Sequence, residues 1–198
     1  MGSVMSEPNE SNEYQGVRND LFDKGDFERG KPFLVEVIWY FVKMSFFLSA
    51  FPWPSRIKAS LLRMFGAKVG VGLYIRPRVN IHMPWKLVIG DHVWIGERCE
   101  LLNLERLELQ DHVSLGHDVF IAAASHNIRS RTMAYANKPV LIKRGTWVAS
   151  RTFVGAGVTV GENCVLGAGA TVVRDVPDNS IVVPSPSTVL KERVLSDP

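Results

Sequence analysis

The stretch VGAGVTVGENCVLGAGATV, Val154 to Val172, places an aliphatic residue at every sixth position: Val154, Val160, Leu166 and Val172. Glycine follows the first three, and four residues after each of them stands Val158, Cys164 or Ala170. A half-buried strand repeats every 2 residues and an amphipathic helix every 3.6, so neither produces sixes. A hexapeptide period means a parallel β-helix. Each six residues form one flat side of a triangular coil: the aliphatic points inward, a small residue fits the corner, and Gly, Asn or Asp supplies the turn backbone.

The same phase extends in both directions. It runs through Val69, Ile75, Ile81 and Leu87; after a two-residue slip, through Ile89, Ile95, Leu101 and Leu107; after another, through Leu109, Leu115 and Ile121; and it resumes at Ile142 and Val148. Stacked coils bury one continuous apolar column, so stability accrues coil by coil. The expected class is all-β, a parallel β-helix over residues 69–183 followed by a tail over 184–198. Cys99 and Cys164 fall at the small inward position of their repeats, where packing explains them. Two cysteines are too few for a disulfide framework and suggest a reducing compartment.

One stretch breaks the rhythm. SHNIRSRTMAYANKPV, Ser125 to Val140, does not repeat, and a loop over 127–141 is expected there. Long loops inside a compact repeat are usually functional. His126 sits at its base, where an imidazole can act as a general base near neutral pH. The other histidines, His82, His92, His112 and His117, fall at corner or outward positions where a polar residue costs little.

Ahead of the repeats, residues 1–20 are polar and aperiodic and read as a disordered arm. Residues 21–68 form an apolar and basic helical segment. Within it Pro32 opens and Pro52 and Pro54 close a run long enough for one helix of about 30 Å. Glu36 and Lys43 on one face argue against a membrane span. A helix in the membrane interface, or one packed over the open end of the core, fits better, and SRIKASLLRMFGAKVG continues it as a basic amphipathic helix. The net charge of +3 is too small to argue for nucleic acid. Its distribution is uneven, with six Lys/Arg and no acid both from Arg56 to Arg78 and from Val119 to Gly161.

The chain from Phe65 to Val189 resembles the hexapeptide acyltransferases with a left-handed parallel β-helix, in particular the galactoside, maltose and colanic acid acetyltransferases. The resemblance is carried by RMFGAKVG (Arg63–Gly70), IRPRVNIHMPWKLVIGDHVWIG (Ile75–Gly96), Ser125–His126–Asn127, and TWVASRTFVGAGVTVGENCVLGAGATVVRDVP (Thr146–Pro177). It implies a cytoplasmic, acetyl-CoA-dependent O-acetyltransferase with no metal, a homotrimer with its sites between subunits. His126 is the implied base toward a sugar hydroxyl, and a backbone N–H near Ser150 the implied oxyanion donor. Trp147, Ala149, Gly167 and Ala168 would line the cofactor groove, and Arg174 and Lys191 would meet the CoA phosphates. Asn103, Asn127, Arg129, Arg131 and Tyr135 are the acceptor candidates. The acceptor is expected to be a saccharide or lipid-linked saccharide, with the enzyme at the inner face of the membrane if the apolar segment binds there. Three other functions compete: transfer to an amino-sugar or antibiotic, a non-catalytic scaffold, and a zinc enzyme of the γ-carbonic anhydrase type. The last is disfavoured because His117 and His126 are nine residues apart rather than five. Two departures stand out: Asn127 where this branch often has Asp, and VPSPS (Val183–Ser187) where relatives commonly read A-G-x-P-A.

Overall fold

The structure, a computed structural model, describes residues 16–184 and 188–192. Three parallel sheets form the sides of a prism. The first stacks Lys68–Val69, Leu87–Ile89, Leu107–Leu109, Val140–Ile142 and Thr159–Val160. The second stacks Tyr74–Ile75, Trp94–Ile95, Ser114–Leu115, Trp147–Val148, Val165–Leu166 and Ser180–Val183, and ends with the antiparallel strand Thr188–Glu192. The third stacks Asn80–Ile81, Glu100–Leu102, Phe120–Ala122, Phe153–Val154 and Thr171–Val172.

The period-six aliphatics fill the prism. All are buried except Val69 at the open end, which is half-buried. The small position four residues on is buried as well, from Val79 and Val93 to Cys164 and Ala170. Cys99 and Cys164 both pack inward, and burial pushes the Cys99 thiol up to about 12. Thr146 and Thr152 take the same position by donating to the carbonyls of Gly161 (2.7 Å) and Gly167 (3.1 Å) one coil on. Coils approach so closely at the corners that a side chain on Gly96 would overlap the Gly116 carbonyl. The third residue after the aliphatic turns with positive φ, and His92 (φ 56°) and His112 (φ 59°) occupy that turn, their rings stacked 5.4 Å apart.

The two-residue slips have a structural cause. Leu87 and Ile89 lie in one strand and both point inward, as do Leu107 and Leu109, because side chains two apart share a face. The extra residues therefore enlarge only the corner between the third and first sheets. Early coils are long, with Lys68 paired to Val88; late ones are shorter, with Leu141 paired to Thr159. The interrupting loop leaves at that same corner, because Leu107 pairs next with Val140. The chain rejoins the prism at Val140, one residue inside the loop boundary expected from the sequence.

Two helices close the N-terminal end. Helix α1 (Phe33–Val42) runs into a π-turn at Lys43–Phe47, and α2 spans Ser55–Met64. The single long helix expected up to Pro52 stops earlier. Phe47 turns in, fully buried, and its carbonyl accepts from Val79 N–H (3.1 Å) in the first coil. An open coil exposes unpaired backbone groups. The helices satisfy them: Trp39 Nε1 donates to Ile81 O (2.9 Å), Ser55 Oγ accepts from Ile75 N–H (3.0 Å), and Lys58 Nζ donates to Arg76 O (2.9 Å). No helix among the described residues is long and apolar enough to cross a membrane.

The expected arm over 1–20 lies outside the described residues up to residue 15. From Gly16 the backbone runs along the loop, where Arg18 N–H donates to Arg131 O (2.7 Å) and Asp23 N–H to Thr132 O (3.3 Å). Of VPSPS, residues 185–187 lie outside the described residues.

Candidate active site

The loop is a short two-stranded ribbon. Ala136 N–H donates to Ser125 O and Asn127 N–H to Ala134 O, each at 2.8 Å, which sets His126 directly opposite Tyr135. Side chains opposite one another across an antiparallel pair meet on one face. The His126 and Tyr135 rings accordingly stack at 5.1 Å. The ribbon tip is tightened by Asn127, whose Oδ1 accepts from Arg129 N–H (3.0 Å).

His126 is exposed, and its Nδ1 lies 2.6 Å from the carbonyl oxygen of Met133. A carbonyl can only accept, so Nδ1 carries the proton, and the neutral ring keeps its lone pair on Nε2. Asn127 plays no part in this: its side chain is committed to the turn. The orienting group is the backbone carbonyl of Met133, a residue in the left-handed region with φ 52°.

The N-terminal segment completes the aromatic surround. Phe22 meets Tyr135 edge-on at 5.3 Å and His126 at 6.5 Å, and Phe27 also meets Tyr135 edge-on at 5.0 Å. Trp85 Nε1 and Lys86 Nζ anchor this segment by donating to the carbonyls of Arg29 and Glu28. On its other side His126 opens on a cleft of about 470 Å³, walled by Ile128, Lys138, Phe153, Gly155 and Val173.

The structure brings together His126, Asn127, Arg129, Arg131 and Tyr135 on the ribbon, with Arg174 exposed one residue beyond the cleft wall at Val173. It does not bring Asn103 to them. Asn103 is fully buried at the long corner, where its Oδ1 accepts from the N–H groups of His82 (3.1 Å) and Met83 (3.0 Å) and its Nδ2 donates to Met83 O (2.6 Å). Its amide is spent on folding that corner, which corrects the expectation of an acceptor contact. Trp147, Ala149 and Ser150 lie on the second sheet and the corner after it, and none of them lines the cleft at His126. Gly167 and Ala168 stack one coil beyond them, with Ala149 N–H donating to Leu166 O (2.8 Å) and Gly169 N–H to Ser150 O (2.9 Å). That edge is narrow: a side chain at Gly167 would come 2.8 Å from Val182 O. Lys191 lies on the last strand, opposite Ile181.

Phe22, Lys138, Phe153 and the Met133 carbonyl carry no motif in the sequence. Only the hexapeptide phase could have hinted at Phe153, as an outward residue of the coil after the loop. Among the described residues no group of three or more His, Cys, Asp or Glu is placed to hold a metal.

Known proteins share this repeat and this fold. Residues 139–174 match the family described as bacterial transferase hexapeptide (six repeats). An Escherichia coli chain named as a colanic acid biosynthesis acetyltransferase is 34% identical over 157 residues, covering 79% of this chain and 86% of the relative. A galactoside O-acetyltransferase of Lactococcus lactis is 29% identical, covering 67% of this chain and 66% of that one. In fold, a hexapeptide-repeat acetyltransferase of Vibrio cholerae solved with acetyl-CoA superposes with a TM-score of 0.76 over 87% of this chain and 96% of its own, at 21% identity. With the repeat, the loop and a relative aligned over most of its length, the chain belongs to the hexapeptide-repeat acetyltransferase family.

Proposed function

We propose that the protein transfers acetyl from acetyl-CoA to a hydroxyl of a saccharide or lipid-linked saccharide precursor, with His126 as the general base. The observation that carries this reading is the hydrogen bond from His126 Nδ1 to the Met133 carbonyl at 2.6 Å, which leaves Nε2 as the only ring nitrogen able to take a proton from neutral imidazole. The acceptor hydroxyl gives its proton to Nε2 as its oxygen attacks the thioester carbonyl carbon. The tetrahedral oxyanion collapses, the C–S bond breaks, and the imidazolium returns the proton to the CoA thiolate.

The oxyanion needs a donor already in place. Within one chain the Trp147–Ser150 turn and His126 occupy different corners, so a complete site calls for the turn of a second copy, as in a trimer with three equivalent clefts. The small edge formed by Ala149, Gly167 and Ala168 would let pantetheine lie close to the backbone. Arg174 and Lys191 would meet its phosphates, and the acid-free window from Val119 to Gly161 suits a ligand bearing several negative charges. On the acceptor side, the exposed Phe22 offers an aromatic surface, and Asn127, Arg129, Arg131 and Tyr135 would offer polar groups. On this reading the reaction draws on acetyl-CoA at the cytoplasmic side, where a lipid-linked acceptor would be met at the inner face of the membrane.

The test is acetyl-CoA-dependent thiol release by wild type and His126→Ala against mono- and oligosaccharides, including fucose, galactose and glucosamine. Sugar-dependent release that falls by about 10²-fold or more in the variant, with acetyl-CoA binding retained, supports the base assignment. Equal rates in the two proteins refute it, and a preference for amine over hydroxyl acceptors replaces the substrate class.

A further inference from the structure

Helix α1 is inverted relative to an ordinary surface helix. Its one charged residue, Glu36, pairs with Arg29 and is mostly covered, and Lys43, which opens the π-turn after it, is half-buried, its ammonium pushed down by burial, with Glu100 acting in the opposite direction. Its outer face carries Phe33, Leu34, Ile38, Phe41 and, just past its end, Met44, which with Phe51 are between 46% and 74% exposed. Leu34, Ile38 and Phe41 follow the i, i+4, i+7 spacing of one stripe. No capping role accounts for this face, because the capping side chains, Trp39 and Phe47, point the other way. A contiguous exposed apolar patch of this kind marks a docking surface.

The charge around the patch selects its occupant. From Lys31 to Gly90 the chain has nine Lys/Arg and a single acid, the paired Glu36. Lys31, Arg56, Arg63 and Lys68 are all exposed at this end of the prism. Two copies meeting through such an end would bring like charges together. An anionic bilayer offers both an apolar layer and complementary charge. With no helix among the described residues long enough to span, we infer that the helical end of the prism docks on an anionic phospholipid surface, the Leu34–Ile38–Phe41 stripe entering the acyl boundary and the basic residues meeting the headgroups.

This deepens the functional reading by giving the acceptor a place to be met, and its biological sense rests on that reading. Its test does not, because vesicle binding is scored without any acetyl transfer. The full chain is floated with phosphatidylcholine vesicles containing about one third phosphatidylglycerol, and with phosphatidylcholine alone. Wild type should float with the anionic vesicles and bind about tenfold less to the neutral ones, or to the anionic ones in about 0.5 M salt. The triple variant Leu34→Ser/Ile38→Ser/Phe41→Ser, altered only at exposed positions, should lose about tenfold or more while keeping the wild-type melting temperature. Lys31→Glu/Arg56→Glu should show the same loss through charge, which keeps the test decisive if the triple variant folds poorly. The inference is overturned if wild type does not float with anionic vesicles or if both variants float as well as wild type. It is equally overturned if the triple variant has a smaller particle mass by light scattering, for then the stripe faces another copy of the chain.

Discussion

Asn103→Ala removes three hydrogen bonds at once from the corner where the third sheet turns into the first. Two are accepted by Oδ1 from the His82 and Met83 N–H groups and one is donated by Nδ2 to the Met83 carbonyl, at 3.1, 3.0 and 2.6 Å. Each is worth about 1 kcal/mol net, and more where the stranded partner is buried. The side chain is fully buried, so water cannot replace it without opening the corner. The expected loss is about 3–5 kcal/mol, or roughly 10 °C in melting temperature for a domain of this size. Asn103→Asp keeps both accepted bonds but sets a carboxylate against the Met83 carbonyl, so it should also destabilise at neutral pH and recover as the pH falls and the acid gains a proton to donate. Thermal unfolding followed by circular dichroism measures both, alongside acceptor KM well below the transition. An alanine variant that melts within about 2 °C of wild type would refute the structural role. Unchanged stability with a large rise in acceptor KM would return Asn103 to the acceptor site.

Three further outcomes follow from the same structure. Burial lowers the Lys58 ammonium from 10.5 to about 8, so the unfolded chain holds more protons across that window and stability should rise with pH from about 8 to about 10.5. Lys58→Met should flatten the rise, which is of order 3 kcal/mol; urea midpoints at both ends of the window that track wild type would contradict it. Phe22→Ala removes ring contacts to both His126 and Tyr135 and should cut acetyl transfer efficiency about tenfold while leaving acetyl-CoA affinity unchanged; equal steady-state kinetics would show that the N-terminal segment is a bystander. With its thiol raised to about 12 and its side chain buried, Cys99 should resist a thiol reagent in the native state and react on unfolding, and rapid native labelling of Cys99, read by mass spectrometry, would count against the inward packing.

What could be read from the chain alone was whatever repeats. A hexapeptide period is a local pattern, and because each coil lies on the one before, the same pattern sets the long-range contacts; that is why Ile75 through Val172 could be assigned to the core without coordinates. The loop and His126 were legible for the complementary reason, as the place where the pattern stops. Tertiary structure decided everything that depends on non-repeating contacts. The orientation of His126 comes from a carbonyl at Met133, and its aromatic neighbour from Phe22, far off in sequence. Asn103 sits at an outwardly unremarkable repeat position, yet the enlarged corner turns its amide inward. The two roles weighed for α1 also required coordinates, because a nearly uniform apolar sequence does not say which side faces the core; the structure puts Trp39 and Phe47 over the first coil and leaves Leu34, Ile38 and Phe41 outside. Periodicity reports which residues share an environment, and only the packing of unlike segments against one another determines what that environment contains.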